Sequence, residues 1–313
     1  MSSPTRDGTT AGIRAGFVAY TIWGLLTVYW KQLTDFAPLE LIGWRVLTAA
    51  VVMTAVVSLR HSWAQVVAAL RTRRVAGRIA VAALLLSCNW LAYVYAIVND
   101  RVIETALGYF IAPLGTMGVG ILVFGERPSR SQRAAMVLAA AAVVVVTISY
   151  GRVPVAALVI AVTWSTYVYH KRHIPLTGVD GFAAESFVLL VPAAIVVAGF
   201  AVRADGIVST ASGGELALVP LSGLATSVPL VLFAFAAVRV PFTVLGPLNY
   251  LVPTINFLLG WGVYGEPLPW SRVAGFALVW AALVLVTTDQ LRRAGSRQAA
   301  ATPPTATVGS PAS

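Results

Sequence analysis

Long apolar stretches separated by short polar segments run through almost the whole chain, from Gly12 to about Gln290. Most of them are roughly 18 to 23 residues long, which is the length that an α-helix needs to cross a hydrocarbon layer of ~30 Å. The pattern therefore predicts an all-α membrane protein with ten transmembrane helices. The predicted spans lie at residues 13–31, 38–59, 77–98, 103–124, 131–149, 154–171, 181–202, 215–238, 242–264 and 271–290.

One stretch of the chain returns 140 positions later. The first copy contains Phe110, Pro113, Gly120 and Phe124-Gly125-Glu126, and the second contains Tyr250, Pro253, Gly260 and Tyr264-Gly265-Glu266. The same offset relates Ser131 to Ser271 and Thr147 to Thr287, so the matching register extends beyond the motif. We therefore predict two repeats. They cover residues 13–149 and 150–290, between a cytoplasmic N-terminal tail at 1–12 and a disordered cytoplasmic tail at 291–313.

Each repeat contains five predicted spans, and an odd number of spans forces the second copy to insert upside down. The fold predicted is therefore two inverted five-helix repeats, an architecture found in many secondary transporters. Basic residues indicate the orientation: of the 22 Lys and Arg, sixteen lie on the side of the two termini, five lie on the other side, and Arg45 lies within a span. Because cytoplasmic loops collect basic residues, we expect both termini in the cytoplasm of a bacterial-type inner (plasma) membrane.

Composition excludes several classes of function. The chain is 58% hydrophobic and 11% charged, and its net charge of +10 is spread over short loops, so we expect no nucleic-acid partner. Its single cysteine, Cys88, lies inside an apolar run, which rules out an intramolecular disulfide and disfavours a cysteine metal site. None of the sequence motifs of hydrolases, metalloproteases or nucleotide-binding enzymes is present. We expect no enzyme activity, no cofactor and no metal.

The motifs of the two repeats also carry a family resemblance. Leu107-Gly108-Tyr109-Phe110-x-x-Pro113-Leu114 is preceded by Asn89-Trp90 and Glu104, and it is echoed by Tyr250-x-x-Pro253-Thr254. This combination resembles the RarD branch of the EamA family, in the drug/metabolite transporter superfamily. The resemblance implies a ten-span inverted repeat and alternating-access export or exchange of small molecules. The chain departs from the branch at Ala112, where an asparagine is usual, and at Asn249, where a glutamine is frequent, so the first amide has no expected role here.

Proline and amide residues within the spans are candidates for a central cavity. Pro113 and Pro253 each remove a helix hydrogen bond, so they either hinge or line a cavity or simply kink a packed helix. Tyr109 and Tyr250 lie in the same motifs and are also candidates for binding substrate or lining the cavity. An amide in hydrocarbon needs partners, so Asn89, Asn249 and Asn256 should face the interior, where they bind a ligand or join two helices. Trp23 and Tyr93 lie near mid-span, where an aromatic ring stacks on a ligand or packs.

Three ionisable residues of the predicted spans are candidates for a functional charge. Arg45 and Glu185 occupy equivalent positions of the two repeats, and an ionised group at that depth is costly unless it is paired or hydrated. We predict that they form a pair or share one water-filled cavity, with a static salt bridge and a transport role both open. Glu104 starts a span, where a carboxylate either caps its helix or takes part in coupling.

The sequence predicts a secondary transporter, a permease that exports or exchanges a small metabolite or an amphipathic drug-like molecule by alternating access, with proton coupling left open. The alternative is a membrane structural or signalling protein that transports nothing. The expected partners are a small-molecule substrate and the lipid bilayer, and a homodimer is left open.

Overall fold

The computed structural model describes residues 6–125, 127–240 and 248–301, and within these ranges the chain is helical without a strand. Nine long helices are present in the described ranges: α1 Arg6–Trp30, α2 Pro38–Leu59, α4 Arg73–Val98, α5 Val102–Phe124, α6 Arg130–Tyr150, α7 Val155–Lys171, α8 Gly178–Ala201, α10 Gly213–Ala237 and α12 Trp270–Ala301. The shorter helices are α3 Trp63–Arg71, α9 Ile207–Thr210 and α11 Leu251–Leu258, which continues as a π-helical turn over Leu259–Val263.

Eight of these helices are long and apolar enough to cross a membrane, namely α1, α2, α4, α5, α6, α8, α10 and α12. The other two predicted spans correspond to α7 and to the shorter apolar segment Leu251–Val263. The prediction of an all-helical membrane fold is therefore confirmed. Two boundaries differ from the predicted ones. A turn at Asn249 and Tyr250 precedes α11, with residues 242–247 lying outside the described ranges, and α12 continues to Ala301, past the predicted end at 290.

Local sequence explains where the helices begin and end. Gly125 ends α5 and Gly265 follows the π-helical turn, at equivalent positions of the two repeats, with φ of 63° and 64°. Only glycine adopts this left-handed conformation without a steric cost, so the repeated glycine is required by the backbone. At the other ends, Ser129 and Ser212 form capping boxes with Gln132 and Glu215, which fix the starts of α6 and α10.

The helices of the two repeats pack in symmetric pairs. Helix α1 of the first repeat packs on α10 and α11 of the second repeat. Its equivalent α7 of the second repeat packs on α4 and α5 of the first repeat. The pairs α2 with α8, α5 with α11 and α6 with α12 each join equivalent helices. Exchanging the two repeats therefore leaves this set of contacts unchanged, as a pseudo-twofold axis requires.

Two hydrogen bonds repeat the same symmetry. Glu40, at the start of α2, accepts a hydrogen bond from the Ile207 N–H at the start of α9, over 3.0 Å. Its equivalent Asp180, at the start of α8, accepts one from the Ser62 hydroxyl just before α3, over 2.7 Å. Each repeat thus fixes the short helix of the other, so the two halves interlock.

Close approach between the repeats gives a test of this packing. A Cβ atom on Gly223 of α10 would lie 2.4 Å from the carbonyl carbon of Thr48 in α2, so these helices meet backbone to backbone. We expect Gly223→Ala to lower the free energy of unfolding in detergent by about 1–3 kcal/mol, because the helices must move apart. Gly199→Ala in α8 is the matched control, since a Cβ there meets no heavy atom within 4 Å. Equal unfolding midpoints for both variants would contradict the packing described.

Candidate functional site

Within the part of the chain that the structure describes, the interior of the bundle contains one cation without a counter-ion. Arg45 of α2 is only 3% exposed, and its guanidinium carbon lies 4.0 Å from the ring centre of Trp90 and 5.5 Å from that of Trp30. Among the described residues, its Nε and Nη1 atoms have no hydrogen-bond partner. The guanidinium is therefore held by aromatic rings rather than by a carboxylate.

Magnitudes show that this arrangement is costly. An unpaired charge at bilayer depth costs at least ~3 kcal/mol, and each buried N–H left without an acceptor adds about 1–3 kcal/mol. A desolvated cation–π contact returns about 2 kcal/mol. The contacts that Arg45 makes with Trp90 and Trp30 therefore do not offset the cost of burying it.

Asn89 of α4, the residue before Trp90, joins three helices. Its amide nitrogen donates to the Ile160 carbonyl over 3.0 Å and to the Thr163 hydroxyl over 3.1 Å, both on α7. Its amide oxygen accepts a hydrogen bond from the Tyr109 hydroxyl of α5 over 3.0 Å. The amide is fully satisfied by neighbouring helices, so of the two predicted roles Asn89 fulfils that of a helix-to-helix bond in this arrangement.

A second chain of hydrogen bonds connects Asn256 of α11 with the first repeat. Thr27 of α1 donates to the Asn256 amide oxygen and pairs with the Tyr93 hydroxyl, both over 2.9 Å. The Asn256 amide nitrogen donates to the Thr105 hydroxyl over 3.3 Å. The rings of Tyr93 and Tyr109 meet edge to face at 5.9 Å, which joins this chain to Asn89.

We call Arg45, Trp90, Asn89, Tyr93, Tyr109, Thr27 and Asn256 the central cluster. It draws side chains from α1, α2, α4 and α5 of the first repeat and from α11 of the second. Any movement of one repeat against the other must rearrange these contacts.

Glu185 has a different partner from the predicted one. Its carboxylate accepts a hydrogen bond from Lys171 Nζ over 2.6 Å and one from the Tyr167 hydroxyl over 3.2 Å. The predicted direct pair of Arg45 with Glu185 is therefore wrong, whereas a shared water-filled cavity stays a prediction. Inversion is the reason: each residue lies seven positions into its helix, ~10 Å from the face at which that helix starts, and those faces are opposite. Across a layer of ~30 Å the two groups differ in depth by ~10 Å.

Two carboxylates at the predicted outer face, where α1 ends and α2 begins, cap neighbouring helices. Glu104 accepts the Ala156 N–H at the start of α7 over 2.9 Å and pairs with Arg152 over 2.8 Å. Glu266 accepts the N–H groups of Val102 and Ile103 at the start of α5, and burial raises the pKa of its carboxyl. Glu104 lies in the first turn of its own helix α5, as predicted, and its carboxylate also bonds the start of α7 because several helix ends meet at this face; a role in coupling stays a prediction. Glu126, the repeat equivalent of Glu266, lies outside the described residues.

The remaining predicted residues lie in other surroundings. Trp23 packs edge to face on Tyr20 and also contacts Phe233 of α10. Tyr250 packs against an apolar cluster that includes Phe110 and Phe276. Asn249 lies in the turn before α11, Pro253 is buried in the first turn of that helix, and Pro113 lies inside α5. In the described part of the chain no hydrogen bond or ring contact joins these five residues to the central cluster, and their roles stay predictions.

Comparison with known proteins identifies the family. The profile of the EamA-like transporter family matches this chain twice, at residues 10–148 and 152–288. The chain belongs to the EamA-like transporter family. Protein RarD of Streptomyces exfoliatus is 40% identical over 284 residues, which cover 90% of each chain. Protein RarD of Escherichia coli is 32% identical over 286 residues, covering 90% of this chain and 96% of the relative.

This EamA-family chain therefore lies in the RarD branch of the drug/metabolite transporter superfamily, as its motifs indicate. A further relative, the uncharacterized transporter YojE of Bacillus subtilis, is 33% identical over 91% of this chain and 96% of its own. One solved crystal structure shares the fold, with a TM-score of 0.57 and 20% identity over 88% of this chain and 96% of the other. The protein is a multi-pass transporter of the bacterial inner membrane.

The sequence also held signals that we did not use. Trp23, Thr27 and Trp30 lie on one face of α1 because they recur at helical spacing. Thr27 is the hydroxyl residue between the two tryptophans on this face, and it bonds both Tyr93 and Asn256. Trp90 follows Asn89 directly in the sequence, whereas only the fold brings Lys171 to Glu185.

Proposed function

We propose that this EamA-family protein is a secondary transporter that exports or exchanges a small metabolite or an amphipathic drug-like molecule by alternating access. The central cluster carries this proposal. It links polar and aromatic side chains of both repeats and contains a buried cation that has no counter-ion among the described residues. A purely structural bundle gains nothing from such a charge, whereas a binding site does.

Contacts at the two ends of the bundle support a rocking movement. At the predicted outer face, Lys31 pairs with Asp100 and Glu266 holds the start of α5. At the opposite face, Lys171 pairs with Glu185 and Asp180 binds Ser62. Of these contacts, those of Glu266 and Asp180 join the two repeats, so we infer that opening the outer face breaks the Glu266 contact while the Asp180 contact holds, and that opening the inner face does the reverse.

Glu185 is the group that we propose for proton coupling. Its carboxylate is completely buried, and Lys171 and Tyr167 are the polar side chains that it bonds. Separation of Lys171 when the inner face opens would leave a carboxylate that is stable only as the protonated acid. Proton uptake on Glu185 would then accompany opening.

Orientation is tested with single cysteines in a Cys88→Ala background. Ser212 is exposed before α10, at the predicted outer face. We expect a Ser212→Cys variant to react with a membrane-impermeant maleimide added to intact cells, and a Thr72→Cys variant to react only after the membrane is opened. Labelling of Ser212→Cys from the cytoplasmic side alone would reverse the orientation.

Transport itself is tested by comparing small molecules in the growth medium of three strains: a deletion strain, the wild type and an overexpressing strain. We expect at least one compound to rise in the medium in that order, and to fall inside the cells if the direction is export. Untargeted mass spectrometry of medium and cell extract measures both. Profiles that do not change with the amount of protein would overturn the proposal.

A further inference from the structure

Five carboxylates are buried among the described residues, and each has a bonding partner other than Arg45. Glu40 binds the Ile207 N–H through one oxygen, Glu104 binds Arg152 and the start of α7, Asp180 binds Ser62, Glu185 binds Lys171, and Glu266 binds the start of α5. Arg45 appears in none of the ion pairs of the described chain. Its negative charge must therefore come from outside the described chain.

The unpaired groups of Arg45 and of the neighbouring Trp30 are donors. They are Nε and Nη1 of Arg45 and the indole N–H of Trp30, whose ring centre lies 5.5 Å from the guanidinium carbon. Guanidinium and indole groups donate hydrogen bonds and accept none. A complementary ligand must bring acceptor oxygens and a negative charge.

The surroundings restrict the rest of such a ligand. Trp90 lies against the guanidinium, and the rings of Tyr93 and Tyr109 in the central cluster meet edge to face at 5.9 Å, so the body of the ligand meets aromatic surfaces. A phosphate group carries nearly two negative charges at neutral pH, whereas one cation is present here. A single carboxylate matches the charge of one guanidinium.

We propose that Arg45 binds the carboxylate of an amphipathic monocarboxylate, whose apolar or aromatic body lies among Trp30, Trp90, Tyr93 and Tyr109. This assignment rests on the proposed transport function and names its substrate class. In the arrangement described Arg45 is enclosed, and the ligand reaches it when the repeats rock apart.

The test uses purified full-length protein in lipid nanodiscs and pairs of compounds that differ in charge alone. Phenylacetate and indole-3-acetate are compared with phenylacetamide and indole-3-acetamide, and phenyl phosphate serves as the dianion. Binding is measured by isothermal titration calorimetry. We expect each carboxylate to bind at least about tenfold more tightly than its amide. Arg45→Gln should remove this preference, Arg45→Lys should retain part of it, and Arg203→Gln, which removes an exposed cation, should retain all of it.

Several results would overturn the assignment. They are equal binding of acids and amides by the wild type, no binding of any compound, tighter binding of phenyl phosphate, or a carboxylate preference that survives in Arg45→Gln. The wild-type comparison decides the question even if the variants do not fold. The binding experiment does not depend on transport. If the medium profiles change with the amount of protein but the protein shows no preference for carboxylates, only the assignment of Arg45 as the carboxylate site is rejected. Unchanged medium profiles remove the transport proposal itself.

Discussion

The Arg45→Met variant should have a larger free energy of unfolding than the wild type and should no longer export its substrate. Removing a buried ion in favour of an apolar side chain of similar length is expected to stabilise a protein by about 1–3 kcal/mol when the ion lacks a partner. Loss of the contact with Trp90, 4.0 Å away, reduces the gain but does not reverse it, because methionine also packs on aromatic rings.

Reversible unfolding of purified protein in mixed micelles measures this free energy, and medium profiles measure export. Arg203→Met is the matched control, because that cation is exposed and its removal should change neither result. A large loss of stability in Arg45→Met would show that Arg45 has a structural partner and would return it to a role in folding. If the variant is more stable and exports normally, the charge of Arg45 is not needed for transport.

Breaking the Lys171–Glu185 pair should have the opposite effect on stability. Glu185 is fully buried, so Lys171→Met leaves its carboxylate without a cation and should lower the free energy of unfolding by about 3 kcal/mol. The double variant Lys171→Met/Glu185→Gln should recover most of that loss, because neither charge remains. A double-mutant cycle of unfolding free energies measures the coupling between the two residues.

Transport by the double variant then distinguishes the two roles of Glu185. If Glu185 carries the proton, a double variant that folds and inserts normally should lose the dependence of export on the pH gradient. If export responds to the gradient as before, the pair is a structural bridge. Strictly additive effects on stability would remove the energetic coupling altogether. The exposed pair Arg203–Asp205 provides the control, since removing either member should leave unfolding unchanged.

The sequence predicted the helices and their symmetry because a membrane span must satisfy its backbone internally and must be apolar over a fixed length. The offset of 140 residues then fixed equivalent positions, and the structure confirms this in the shared left-handed conformation of Gly125 and Gly265. The same symmetry led to the wrong prediction that Arg45 and Glu185 form a direct pair. Equivalent residues of inverted repeats lie at equal depths from opposite faces, so Arg45 and Glu185 cannot meet by symmetry alone.

The sequence alone does not predict which helix ends contact each other. Glu104 caps α7 and Glu266 caps α5 because several helices begin at the same face, and no local pattern states which helix starts lie side by side. Lys171 reaches Glu185 across a turn between α7 and α8 for the same reason. Candidate residues such as Asn89 and Asn256 were found because a buried amide is unusual in hydrocarbon, whereas hydroxyl groups such as that of Thr27 are common there.

Alternating access at the central cluster is tested most directly by one cysteine at Thr27, which is fully buried and bonds both Tyr93 and Asn256. In a Cys88→Ala background, Thr27→Cys is exposed to a small charged methanethiosulfonate in right-side-out vesicles and, separately, in inside-out vesicles. Ala142→Cys, buried between α6 and α12, is the control and should react in neither. We predict that Thr27→Cys reacts from both sides of the membrane; reaction from neither side, or from one side only under every condition, would contradict transport by alternating access.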